Sequence, residues 1–490
     1  MSIRTPPVRR MGKGGISHAT GESEFEKLIQ HPSATLPPFR RSARLSLMRA
    51  LPYCVLLALA TSPLRAQALE DRITDLFIFG EGGEVLFLGG SGGSENPAIS
   101  PHGDHFIPAA VGGNATIISF LTTSIGSNVA NLPVSASSGG ETFRFEGATP
   151  VRTSISPGPI YAERAQTLGS GRLFLSLSRT GLHYETLRGV PLDAVPLVFT
   201  HSNVDFPNCD AIFGGDCSLY GIPQFENEVI DFNLGLDVSV DVTAFALTYG
   251  INNRIDLGVV LPLVKTSLRG TSTATIIPFG TSGPPPHFFA GTEANPVLTA
   301  SRFVEGSSSG LGDVSARVKV NLREASPVSV AVLAEGRFPT GSEEDLRGSG
   351  AVALRGLGIV SARLGSFSPH ANFGYQYRGR ELDPDAFLLT AGFDQLLSPW
   401  ATLAADLITE FPVGTSDIPV PGSVVLEEPF RRTVRTSSIP DRRDDIINAS
   451  LGLKLTIPRA VTFVTNGAFP LNRGGMRPDV LWTVGAEYTF

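Results

Sequence analysis

From Gly171 onward the chain alternates apolar and polar residues with period two, and this alternation predicts β-strands. In 229–249, Ile230, Phe232, Leu234, Leu236, Val238, Val240, Val242 and Ala244 fall on one face, with Asp231, Asn233, Asp237, Ser239 and Asp241 on the other. In 314–322, Val314, Ala316, Val318, Val320 and Leu322 oppose Ser315, Arg317, Lys319 and Asn321. The stretch 479–490 sets Trp482, Val484, Ala486, Tyr488 and Phe490 against Thr483, Gly485, Glu487 and Thr489. Twelve such segments are legible: 171–187, 229–249, 254–270, 312–323, 326–338, 349–363, 366–378, 385–396, 400–411, 446–456, 460–471 and 479–490.

Their connections alternate in length. Tight turns at Asn252-Asn253, Ala325, Gly365, Ser398-Pro399 and Pro458-Arg459 take turns with long polar loops at 188–228, 271–311 and 412–445 and shorter ones near 340–348, 379–384 and 472–478. A uniformly apolar face on every strand, short turns at one end and long loops at the other predict an all-β fold. The expected form is a transmembrane antiparallel up-and-down β-barrel of about twelve strands over 171–490, with the turns on the periplasmic side. The region 69–170 is Gly/Ser-rich and lacks membrane-length alternation; it is expected inside or beneath the barrel as a plug. One helical stripe within it, Ile117, Ile118, Phe120, Leu121 and Ile125, predicts a helix over 114–127.

Composition adds the compartment. The apolar run 51–60 follows Arg40, Arg41, Arg44 and Arg49 and precedes Ala66-Gln67-Ala68, so 48–68 is expected to be a cleaved secretory signal. Such a run is too short to span a bilayer as a helix. Residues 1–47 are patternless and are read as a misassigned start or an extension. Ten of the 39 basic and three of the 46 acidic residues lie in 1–68, so the remainder carries about −14. An acidic exported chain argues against a nucleic-acid partner. Cys209 and Cys217, in one polar loop, are expected to form a disulfide.

Three stretches, Tyr249-Gly-Ile-Asn-Asn-Arg-Ile-Asp-Leu-Gly-Val-Val-Leu-Pro262, Gly310-Leu-Gly-Asp313 and Arg337-Phe-Pro-Thr-Gly341, resemble a family of outer-membrane proteins associated with MetA-pathway phenol degradation and described as transporters. The likeness runs over 229–490. It implies a small outer-membrane barrel, a route for hydrophobic compounds, and no catalytic residues. Taken alone, the motif residues are turn and strand-end formers: Asn tolerates positive φ in a tight hairpin, and glycines let strands bend as they leave the membrane. Phe490 closing an alternating strand, with Trp482 and Tyr488, also resembles the signal by which outer-membrane barrels are recognised, making the lipid bilayer and the assembly machinery the expected partners.

Catalysis by Ser or Cys needs an adjacent base. Only His370 lies inside a central predicted strand, alternating with Asn372, Gln376 and Arg378, and it is read as a hydrogen-bonded lumen residue. His102-x-x-His105 has no evident third ligand. No enzyme, metal or cofactor is therefore expected. Charges assigned to the lumen are Asp231, Asp237, Asp241, Arg317, Lys319, Glu335, Arg337, Arg355, Arg363, His370, Arg378, Asp394, Asp406, Glu410, Lys454 and Glu487, with Asp256 beside them. They form either an ion-pair network that rigidifies the barrel and holds a plug, or a filter that orients a polar solute. The expected role is passive passage or binding of small hydrophobic or aromatic molecules; the alternatives are a structural or surface-interaction protein and, last, a barrel enzyme.

Overall fold

The computed structural model describes residues 67–79, 86–87, 121–122, 124–125, 143–146, 149–152, 161–200, 229–278, 288–292, 294–379, 383–414, 423–426, 431–457 and 461–490. All belong to the second of two compact units, Arg65–Phe490. The expected start, the leader as far as residue 66, the His102/His105 pair and the Cys209/Cys217 disulfide lie outside the described residues.

Alternating side chains and tight turns produce the strands β1 (Leu173–Leu187), β2 (Val195–Thr200), β3 (Val229–Gly250), β4 (Ile255–Ile277), β5 (Thr299–Leu311), β6 (Val314–Arg323), β7 (Val328–Phe338), β8 (Ala353–Ala362), β9 (Phe367–Arg378), β10 (Ala386–Ser398), β11 (Ala401–Pro412), β12 (Ile446–Ile457), β13 (Val461–Pro470) and β14 (Leu481–Thr489). Consecutive wall strands pair antiparallel, and β14 pairs back onto β1 with Trp482 opposite Gly181 and Thr489 opposite Phe174. β1, β3, β4 and β6–β14 thus close a twelve-stranded barrel with no free edge in the ring. Five turns gather at one end, between β3 and β4, β6 and β7, β8 and β9, β10 and β11, and β12 and β13; the longer connections gather at the other.

Closure assigns the faces. On β14, Trp482 and Val484 are exposed outward, while Thr483 and Glu487 are buried within. Around the wall the outward positions are large and apolar: Leu177, Leu247, Leu257, Leu261, Val332, Phe373, Leu389, Leu407, Leu451 and Phe463 are all exposed. Aromatics rim this belt, with Tyr249, Trp400 and Phe490 near the turns and Phe338, Tyr377, Phe387 and Trp482 near the loops. Tyr375, on the loop rim, donates its hydroxyl to Asp385 at 2.6 Å, so its apolar body and polar tip face different media.

The β3–β4 hairpin departs from expectation. Its strands are 22 and 23 residues long, whereas a tilted spanning strand needs roughly 9–11. The distal half therefore projects past the ring. There β4 leaves β6 and pairs with β5, Leu263 opposite Leu311 out to Thr275 opposite Thr299, and β3 takes up β2. Much of the loop expected at 271–311, and part of that at 188–228, is thus a strand-built flap.

The flap also corrects an assignment. Asp231 and Asp237 are exposed on its outer face and Asp241 is half-exposed there, where Arg179 donates to Asp241 at 3.0 Å; none of the three faces the lumen. Phe232, Leu234, Leu236, Val238, Val240 and Val242 point inward and are buried. The outward face of β3 turns apolar only at Phe245, Leu247 and Tyr249, and that of β4 turns polar between Leu263 and Lys265. The phase of alternation is constant along both strands; the medium outside them changes.

The inner face of the flap is covered by α1 (Leu69–Asp75) and the residues after it. Seven residues cannot hold a helix alone, so packing holds it: Leu69, Ile73, Leu76, Phe77 and Phe79 are buried, and Phe77 stacks on Phe232 with centroids 4.8 Å apart. Gly270 makes room, since a Cβ there would lie 2.5 Å from a Leu76 methyl. Of the helix expected over 114–127, residues 121–122 and 124–125 are described and helical, and Leu121 and Ile125 join the same apolar cluster.

Candidate functional site

Ten residues before β1, 161–170, cross the lumen near the turn end as a strap without regular structure. The backbone polar groups of such a segment need partners in the dry interior, and the barrel wall supplies them. Asn372 accepts from the Glu163 amide at 2.7 Å and donates to its carbonyl at 2.9 Å. Ser361 accepts from the Ala165 amide at 3.1 Å, and Asn321 donates to the Ala165 carbonyl at 2.7 Å. Both Asp256 carboxylate oxygens accept from the Leu168 amide at 3.1 Å. Side chains add ion pairs: Arg317 to Glu163 at 2.9 Å, Lys319 to Glu163 at 3.6 Å, and Arg164 to Asp394. Tyr161 shares a 2.8 Å hydrogen bond with Thr483.

The first motif turns out to be a strap receptor, not merely a hairpin. Its Asn253 accepts from the Ser170 amide at 3.2 Å and, through its carbonyl, from the Thr167 hydroxyl at 2.8 Å; its Asp256 holds Leu168. Its Gly250 lies against the strap so closely that a Cβ would sit 2.0 Å from the Gly169 carbonyl oxygen. Of the region 69–170, the strap thus lies near the turns and α1 at the flap.

Most assigned lumen charges do face inward. His370 sits between Asp406, at 2.7 Å, and Asp394, at 3.8 Å. Lys454 and Glu487 form an enclosed pair, with the ammonium 3.1 Å from both oxygens. Arg378 is held by Glu410 and by Asp383. Arg337 and Arg355 flank Glu335 at 3.7 and 3.9 Å. Arg363, like Asp231, Asp237 and Asp241, does not face inward: it lies in the β8–β9 turn, paired with exposed Glu324 at 3.4 Å, on the rim and not within the lumen.

At the loop end the other two motifs meet. β5 and β6 form one strand interrupted at Gly312-Asp313, since Leu311 faces Leu263 of β4 but Ser315 faces Val260. That bulge turns Asp313 inward, where it accepts from the Gly341 amide at 3.0 Å and from the Ser349 amide and hydroxyl at 2.8 Å. Thr340 clamps the bulge from the far side, donating to the Gly312 carbonyl at 2.6 Å and accepting from the Val314 amide at 3.0 Å. Gly341 and Gly348 are required by crowding: a Cβ would lie 2.6 Å from the Arg347 carbonyl oxygen or 2.4 Å from Asp313. A second clasp, Arg188 to Asp444 at 2.8 and 2.6 Å, joins the loops after β1 and β11.

Between strap and loop clasps lies a cavity of about 250 Å³, floored by Tyr161 and Glu163. Its lining mixes apolar side chains, among them Leu182, Val242, Leu388, Ile408 and Leu481, with Arg317, Arg337, Arg347 and Arg355. Arg477 also lines it, on the short strand Met476–Pro478 at the loop end. Burial pulls the Arg477 guanidinium down to about 10, against the attraction of Glu410, so it stays charged at neutral pH. Sequence reading passed over Glu163, Arg164, Arg347 and Arg477, and took Asp313 only as a strand-end motif residue. The legible signal was Glu163-Arg164, adjacent opposite charges just before the first strand in an otherwise uncharged stretch. Among the described residues no group of three or more His, Cys, Asp or Glu is placed to hold a metal ion.

No protein-family model matches the chain, and no curated protein does. Among solved structures it is similar to an outer membrane channel from Pseudomonas putida F1 at 11% identity, covering 66% of this chain and 98% of that one with a TM-score of 0.37. It is similar to the translocator domain of the autotransporter NalP from Neisseria meningitidis at 9% identity, covering 66% and 89% with a TM-score of 0.31. A Pseudomonas aeruginosa FadL homologue gives 10% identity, 65% and 90% coverage and a TM-score of 0.30.

Proposed function

We propose that this chain is an outer-membrane barrel that admits small, largely apolar molecules from the loop side and is gated by its own strap. The observation that carries this is the cavity within a belt of outward apolar residues, lined by aliphatic side chains and floored by a segment held through hydrogen bonds and ion pairs. A structural barrel would have no need of such a cavity.

Liposome swelling with the purified chain tests the reading. Wild type should pass benzyl alcohol faster than a sugar of similar size. Arg164→Met, which leaves the Asp394 carboxyl without its guanidinium and loosens the strap, should raise single-channel conductance several-fold. Wild-type and variant barrels that both leave liposomes impermeable would sink the passage reading.

Sidedness follows from the same reading. A tag in the loop between β11 and β12 should label on intact cells, and one at Ser398-Pro399 only after the outer membrane is breached. Labelling of both on intact cells would reverse or remove the membrane topology.

A further inference from the structure

Five guanidinium groups line the cavity, and their compensation is uneven. Arg317 is matched by Glu163 at 2.9 Å and Arg347 by Asp345 at 2.9 Å. Asp313 accepts from three neutral donors of the rim loop, and Glu410 pairs with Arg378 while also attracting Arg477. That leaves Glu335 between Arg337 and Arg355, at 3.7 and 3.9 Å, beyond hydrogen-bonding distance of either. Arg355 makes no hydrogen bond among the described residues, and its buried Nε is one of the unmatched polar atoms. Arg477 donates only to neutral oxygens, those of Ile447, Asn448 and Asn472.

A guanidinium has five donors in a rigid fork suited to a carboxylate. Arg355 has only the long contact to Glu335 and an unmatched, buried Nε, so its donors are open to a further acceptor. Arg355 therefore presents unmatched donors to a cavity that also carries apolar side chains. A neutral apolar solute would satisfy the wall and leave Arg355 as it is; an inorganic anion would satisfy Arg355 and leave the wall bare.

We infer that the cavity binds a small amphipathic organic carboxylate, with its ring or short chain against Leu388 and Ile408 and its carboxylate on the Arg355 side. This rests on the passage reading and narrows it to a substrate class. Glu335 then acts as a stand-in anion that the incoming carboxylate displaces, and Arg477 adds to the attracting potential from its own part of the wall.

The probe is benzoate against benzyl alcohol, similar in size and differing in charge, titrated calorimetrically into the full chain in lipid nanodiscs, with empty nanodiscs as the blank. Benzoate should bind at least tenfold tighter than benzyl alcohol. Arg355→Met should abolish that preference, and Glu335→Gln should tighten benzoate. Equal affinity of wild type for the two probes overturns the inference without any variant, and so does undiminished preference in a heat-modifiable Arg355→Met barrel. Swelling separates the two levels: benzyl alcohol passage without benzoate preference removes the carboxylate site and keeps the passage reading, whereas benzoate binding with impermeable liposomes removes passage.

Discussion

Replacing Lys454 by methionine should destabilise the barrel by about 3–5 kcal/mol, the usual loss when one member of a buried ion pair is removed. The Lys454 side chain is 0% exposed and that of Glu487 5%, and the ammonium contacts both carboxylate oxygens, so the variant leaves the Glu487 carboxylate enclosed without that cation. The pair joins β12 to β14 across β13, close to where β14 meets β1, so the damage falls at the closure of the ring. Urea titration in lipid vesicles, read by the heat-modifiable band, measures it. The double variant Lys454→Met/Glu487→Met should recover most of the loss, because exchanging both members for apolar side chains of similar volume is often neutral. Unfolding of the single variant at the wild-type urea concentration would mean that the pair is solvated after all.

Asp313→Ala should release the loop between β7 and β8 while the barrel stays closed. It removes the acceptor of three donors at a buried position, each worth about 1–3 kcal/mol when left unmatched. Leu346, buried in the same loop, holds a left-handed backbone with φ of 56°. Limited proteolysis should then cut within 339–352, where wild type resists, with heat modifiability retained. Asp313→Asn, which keeps one acceptor oxygen, should be cut more slowly than the alanine variant. Equal resistance of the alanine variant and wild type would show that Thr340 and the Gly312 bulge suffice.

The reasons for these two effects were unequally visible before the fold was known. Period-two alternation with tight turns determined the strand number and placed most strand ends within a few residues, because a pleat offers each side chain only two faces. It placed Lys454 and Glu487 inside by the same rule. What it could not determine was the medium outside a face. Asp231, Asp237 and Asp241 have the phase that would put them in the lumen if Phe232 and Val238 met lipid. Only the projection of β3 beyond the ring, with α1 on its inner side, shows that water is outside there. Nor could it determine partners: Asn253 reads as a turn residue and Asp256 as one more lumen charge until the strap arrives from 83 to 88 positions earlier in the chain, and Asp313 as a strand-end residue until its bulge meets Gly341 and Ser349. Local pattern is set by backbone geometry and is written in neighbouring residues, whereas the pairing of buried charges is chosen by closure of the ring, which brings distant segments into one dry lumen where each polar group must find whatever partner lies opposite.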